Sequence, residues 1–250
     1  MAQDDASLSV IQLLLRDFAA MTHSAPNVLE RFLHYVQFDT QSDETSAAAP
    51  STAKQLKLAE ALKDELHQLG IANAVIGQGG VVYAQIPASR GCEDLPAVGF
   101  IAHMDTSPDA SGLHVKPQII RFDGTDVLLN QTEGIRFPVE RFPEIKKYIG
   151  EDVIFTDGTT LLGADDKSGI AAIMDMAAKI TADPKIAHAK LCIAFTPDEE
   201  IGRGTANFDL ERFGADWAVT IDGGEVGTLE NENFNAGSAV VDFQGGGVHP

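Results

Sequence analysis

One histidine and seven acids, residues with metal-binding or proton-transfer chemistry, stand in four short clusters, each directly after an apolar run of strand character. Residues 97–102 run into His103-Met104-Asp105, and residues 159–162 run into Gly163-Ala164-Asp165-Asp166-Lys167. Residues 191–195 run into Thr196-Pro197-Asp198-Glu199-Glu200, and residues 217–221 into Asp222-Gly223-Gly224. One imidazole with several carboxylates is a donor set for a hard or borderline divalent metal, zinc above all. Taken singly, each cluster reads as readily as a solvated turn or a capped helix start. Their common place at strand exits sets them apart, because open α/β sheets gather their active sites along that edge.

Spacing assigns tasks within the clusters. His103 and Asp105 are two apart, so in an extended segment both side chains leave on one face. Asp105 can then bond one ring nitrogen while the other faces a metal. Asp165 lies nearer the strand exit than Asp166 and can offer one oxygen to each of two metals, whereas Asp166 suits a helix cap. Glu199 and Glu200 are neighbours and point apart. One of them can hold metal while the other serves as general base. Asp222, before two glycines, adds an oxygen ligand.

The elements that must position these residues alternate strands with helices, as in an α/β fold. Asn27 with Glu30 makes a capping box ahead of Val28, Leu29, Phe32, Leu33 and Val36 at helical spacing. Ser51 is placed to cap a second helix, with a stripe of Leu56, Ala59, Leu62, Leu66 and Leu69 that Gly70 ends. Strands are expected at 81–86, 97–102, 159–162, 191–195 and 217–221, and Ser168-Gly169 opens a helix that stops near Asp183-Pro184. The stretch 106–150 reads as irregular, and a loop of that length is functional or carries small elements of its own. Residues 238–243 alternate Ala239, Val241 and Phe243, as a strand with one wet face would. Residues 1–26 look like an appended segment with a short helix.

Composition narrows the function classes. The chain has 250 residues, 44% of them hydrophobic, with 23 glycines, ample for a globular α/β core. A net charge of −19 repels phosphate and argues against nucleic acid as a partner. Cys92 and Cys192 form no C-x-x-C pair, which leaves neither a disulfide framework nor a thiolate metal site. No apolar run approaches the roughly 20 residues of a membrane span. Asp4 and Asp5 stand where a signal peptide would carry positive charge, so a cytoplasmic location is expected, with no membrane partner.

The longer strings His103-Met104-Asp105-Thr106-Ser107-Pro108-Asp109 and Phe195-Thr196-Pro197-Asp198-Glu199-Glu200 resemble the di-zinc exopeptidases, and within them the tripeptide aminopeptidase branch. Leu162 to Lys167, Asp222-Gly223-Gly224 and Glu232-Asn233-Phe234-Asn235-Ala236 extend the resemblance, which runs from about Val28 to the end. The resemblance implies a mixed-sheet catalytic domain with helices on both faces over 27–236, and at 237–250 the first strand of an α+β lid or dimerisation domain. It implies two Zn²⁺ ions bridged by Asp165. His103 and Asp222 would hold one and Glu200 the other, with Asp105 orienting His103 and Glu199 acting as general base. It also implies a cis peptide bond between Asp165 and Asp166, a small peptide substrate reached by His249, and a homodimer in the full-length form. The family takes a fifth ligand, a histidine, from a later part of the catalytic domain. The chain is therefore expected to be C-terminally truncated, with its metal site one ligand short. The alternatives are a related dipeptidase, carboxypeptidase or N-acyl amino-acid deacylase, or a metal-binding fragment without activity.

Overall fold

The computed structural model describes residues 26–224, 227–231, 237 and 239–246. Helix α1 (Val28–Tyr35) starts where the capping box predicts. The Asn27 side chain accepts from the Glu30 amide at 3.0 Å, and the Glu30 carboxylate accepts from the Asn27 amide at 2.8 Å. Helix α2 (Gln55–Gln68) buries Leu58, Ala59, Leu62 and Leu66 and ends at Gly70, whose φ of 85° is open to glycine. The Gly70 amide donates to His67 O and the Ile71 amide to Leu66 O, which closes the last turn as a Schellman motif. Ser51 does not cap this helix: Lys54 is the N-cap and makes no side-chain cap bond. The Ser51 hydroxyl is bound elsewhere, to Asp198.

The main sheet contains β1 (Val75–Ile76), β2 (Val82–Ile86), β3 (Val98–His103), β8 (Leu191–Thr196) and β9 (Trp217–Thr220), in the order β1-β2-β8-β3-β9. Strands β8 and β9 both run parallel to β3, while β2 is antiparallel to β8, so the sheet is mixed. All six residues of β8 are buried, as a central strand covered on both faces requires. Alternate residues divide the two faces. Val82, Ala84, Ile193 and Phe195 pack with α1, α2 and α3 (Ala164–Ala182), whereas Val81, Tyr83, Cys192 and Ala194 pack with Phe213 of the one-turn helix α4 (Leu210–Phe213). Helices thus lie on both faces, with three on one and a single turn on the other.

Between β3 and α3 the chain forms two small ribbons, β4 (Gln118–Arg121) with β7 (Asp152–Phe155) and β5 (Val127–Asn130) with β6 (Ile135–Phe137). They share a core of Phe122, Val127, Val139 and Phe155, so the long irregular stretch carries elements of its own. The expected strand at 159–162 is absent. An aspartate turn takes these residues out of any ladder: Asp157 accepts from the Thr159 amide, and the Leu161 amide donates to Ser111 O. Residues 239–243 form no strand either. No neighbour among the described residues pairs with them, and Val240 and Phe243 are each 91% exposed. The helix expected within 1–26 lies outside the described residues, and no described helix is long and apolar enough to cross a membrane.

One buried cation ties the three helices together. The Arg31 guanidinium on α1 donates to Glu65 of α2 at 2.7 Å, to Asp175 of α3 at 3.3 Å and to Pro26 O. Tyr35 donates to the other Glu65 oxygen at 2.5 Å. Burial, then the Glu65 charge, pushes the Tyr35 hydroxyl well above its usual range. Arg31→Ala should leave the Glu65 carboxylate against Tyr35 without its cation, and Asp175 with Lys179 as its remaining cation, at a cost of about 3 kcal/mol. A denaturant titration showing less than about 1 kcal/mol of loss would reduce Arg31 to a packing residue.

Candidate metal centre

Parallel pairing brings three of the four clusters to one edge. His103 pairs with Thr196 and Ile101 with Thr220, so β3, β8 and β9 end side by side, with Asp198 and Asp222 two residues further on. The fourth cluster arrives from the start of α3, where Gly163 (φ 75°), Asp165 and Asp166 are not helical and the bond between the two aspartates is cis. The regular helix begins only at Lys167.

These turns send the paired acids in different directions. The Asp165 side chain reaches His103, its Oδ1 lying 2.8 Å from Nε2. The Asp166 side chain turns inward, where Oδ2 accepts from the His103 amide at 3.1 Å and Oδ1 from the Gly169 amide at 3.2 Å. Burial and the nearby Asp222 charge push the Asp166 carboxyl up to about 8. Asp166 is therefore a staple between β3 and α3, an extension of the cap that its sequence position suggests.

Asp105 departs from its expected part in one respect. The Nδ1 atom of His103 lies 3.1 Å from the Asp105 backbone carbonyl and 3.4 Å from its carboxylate. The carbonyl can only accept, so Nδ1 carries hydrogen and Nε2 is the nitrogen facing the acids. The Asp105 carboxylate is fully buried and accepts from the Glu199 amide at 2.9 Å and the Glu200 amide at 3.2 Å. It thus helps to orient the histidine and also anchors the loop carrying the two glutamates. The two-residue spacing gave no sign of this second task.

Two overlapping groups can hold a metal ion. His103, Asp165 and Glu200 bring ligand atoms within 4.8 Å of one another, and so do His103, Asp166 and Asp222. Both Asp166 oxygens are already engaged by amides, so Asp222 is the freer carboxylate of the second group. Its Oδ2 lies 3.9 Å from His103 Nε2, as does Oε2 of Glu199. Of the residues singled out from the sequence, His103, Asp105, Asp165, Glu199, Glu200 and Asp222 all meet here. His249 lies outside the described residues.

The charges of the centre do not balance. Burial, and then neighbouring charges, raise Glu199, Glu200 and Asp222 above the ordinary carboxylate range. Burial alone would depress His103, but Asp105, Asp166 and Asp165 outweigh it and push the imidazole up to about 10. Anions that crowd until they resist ionising stabilise a bound cation, and one imidazole with flexible carboxylates suits zinc. The donor chemistry therefore fits a divalent metal.

Zinc at a hundred times its dissociation constant should stabilise the chain by about 2.7 kcal/mol, read as a rise in melting temperature that a chelator reverses. No rise at saturating zinc would count against a metal centre. A second expectation concerns Gly169, where an added Cβ would lie 2.1 Å from Ile221 O and 2.4 Å from Asp166 Oδ1. Gly169→Ala should displace the turn leading into Asp222 and weaken zinc by about tenfold or more. Unchanged calorimetric affinity would show that this packing does not set Asp222.

No family model matches the chain. Over 225 residues, 90% of its length, it is 56% identical to Peptidase T of Desulfitobacterium hafniense, and over 224 residues it is 54% identical to Peptidase T of Clostridium acetobutylicum. It spans 54% and 55% of those proteins, about half their length. Among solved structures, a tripeptidase from Staphylococcus aureus matches 80% of this chain and 43% of its own, at a TM-score of 0.55 and 24% identity. The aminopeptidase PepT from Bacillus cereus matches at the same TM-score and 23% identity, over 79% of this chain and 43% of its own. These two likenesses establish the mixed α/β fold. The sequence identities go further: nine-tenths of this chain is similar to about half of the length of proteins named Peptidase T.

Proposed function

We propose that the chain carries the metal centre of a zinc-dependent aminopeptidase that releases the N-terminal residue of tripeptides. The convergence of His103, Asp165, Glu200 and Asp222 beside Glu199 carries this reading, and the identity to Peptidase T proteins supports it. His103 and Asp222 would hold one zinc, Glu200 the other, and Asp165 both. Two zinc ions so held would polarise the scissile carbonyl and lower the pKa of an attacking water.

The chain's own residues supply the proton chemistry. Glu199 stands at the mouth of the site with its side chain 53% exposed, within reach of substrate and water. Its raised carboxyl, shifted mainly by partial burial, makes it a firmer proton acceptor than an ordinary glutamate. It takes the proton of the attacking water and returns it to the leaving amine. Asp105 holds the Glu199 backbone while this happens. In this reading residues 27–236 are the catalytic part, 237–250 begin a lid, His249 meets the peptide, and the complete protein is a cytoplasmic homodimer.

Glu199→Gln should abolish hydrolysis of a free-amine tripeptide yet leave zinc content nearly unchanged, whereas Glu200→Gln should lower zinc content. Equal metal loss in both variants would overturn this division of roles. A preference for the N-acetylated tripeptide would instead favour a deacylase or carboxypeptidase of the same class. Because the chain spans about half of its Peptidase T relatives, a metal-binding role without turnover is the second reading. Zinc bound by the purified chain with no peptide hydrolysis would support it.

A further inference from the structure

Asp198 precedes the two glutamates and makes none of their contacts. It is 4% exposed, and its backbone sits at φ 60°, a left-handed conformation uncommon outside glycine. Its Oδ1 accepts from Ser51 Oγ at 2.5 Å and from Gln55 Nε2 at 2.6 Å, and Oδ2 accepts from the Ser51 amide at 2.7 Å. Its own amide donates to Gln55 Oε1 at 3.2 Å, and its carbonyl accepts from the Arg203 amide at 2.8 Å. Every polar atom of the residue is engaged, and the side-chain partners all come from the segment that leads into α2.

The left-handed turn at Asp198 reverses the chain as it leaves β8, so that the amides of Glu199 and Glu200 face Asp105 and their carboxylates face His103. For a residue with a Cβ this conformation costs roughly 1–2 kcal/mol. Ser51 and Gln55 hold the residue in that conformation with four hydrogen bonds. The same segment also grips the loop after His103. The Ser42 amide donates to Thr106 O at 3.0 Å, and the Thr106 amide donates to Thr40 O at 3.3 Å. Arg203, just past the glutamates, donates to Ser46 O and Glu44 O at 2.6 and 2.9 Å. Residues 40–55 therefore brace both loops whose side chains must meet.

We infer that Asp198 is a positioning residue: held by Ser51 and Gln55, it sets Glu199 and Glu200 against the metal centre from a place where it touches neither metal nor substrate. The inference rests on the two-zinc reading and adds that the site at Glu200 depends on a contact with the segment before α2. The test is a calorimetric titration of zinc into the full chain and three variants. Asn tolerates the left-handed backbone, so Asp198→Asn keeps the turn while placing an amide donor against the donors of Ser51 and Gln55. Glu200→Gln identifies which binding step belongs to Glu200. Leu62→Ala, in the α2 core, controls for general loosening of that helix.

Asp198→Asn is expected to weaken the step that Glu200→Gln weakens, by about tenfold or more, and to leave the other step alone. Leu62→Ala should change neither. If Asp198→Asn leaves both steps unchanged, or weakens both equally, Asp198 does not position the glutamates. The same holds if Leu62→Ala reproduces its effect. A wild-type chain that binds no zinc overturns the two-zinc reading and this inference with it.

Discussion

Mutual repulsion among carboxylates gathered around a single imidazole is the constraint that the surrounding structure must satisfy. Asp165, Glu199, Glu200 and Asp222 reach towards His103, and left to themselves such groups would swing apart into water. They are held in place by buried carboxyl groups that accept from the backbone of neighbouring segments. Asp105 accepts the amides of Glu199 and Glu200, Asp166 accepts those of His103 and Gly169, and Asp198 accepts that of Ser51. In each case a buried carboxyl group accepts from a backbone N–H group of another segment. The buried acids fasten one loop to the next, and the exposed acids are thereby kept close enough to need a cation.

The sheet makes this fastening possible. Parallel neighbours end at the same level, so β3, β8 and β9 deliver their carboxyl ends together. The arrangement is rigid below and open above. Phe195 and Ala102 are fully buried beneath the site, while the side chains of Asp165 and Glu199 are more than half exposed at its rim. Close packing lies directly behind the candidate donors. At Gly169, α3 approaches Ile221 so closely that there is no room for a methyl group.

Much of the frame could be read from local pattern because its signals are local. The capping box at Asn27 and Glu30, the Schellman turn at Gly70 and the apolar stripe of α2 involve residues a turn apart and appear where expected. The misreadings have a common cause. Residues 159–162 and 239–243 have strand composition but no partner strand among the described residues, and a ladder needs two sides. Ser51 has the type and place of a helix cap, yet Asp198, distant in sequence, claims its hydroxyl. The ribbons within 106–150 pair residues such as Gln118 and Phe155, too far apart for periodicity to reveal.

From the sequence alone follow the types of the candidate donors, the place of three of their four clusters at strand ends, and the alternating α/β order. Those depend on residue type and short spacing. How each acid stands towards His103 is a tertiary outcome. Position in the sequence suggests a cap for Asp166 and an outward role for Asp165, but Glu199 and Glu200 are chemically the same neighbours, and spacing says only that they point apart. The division comes from backbone direction at the start of α3 and at the left-handed Asp198, and from donors such as Ser51, Gln55 and the His103 amide that only the folded chain brings within hydrogen-bonding distance.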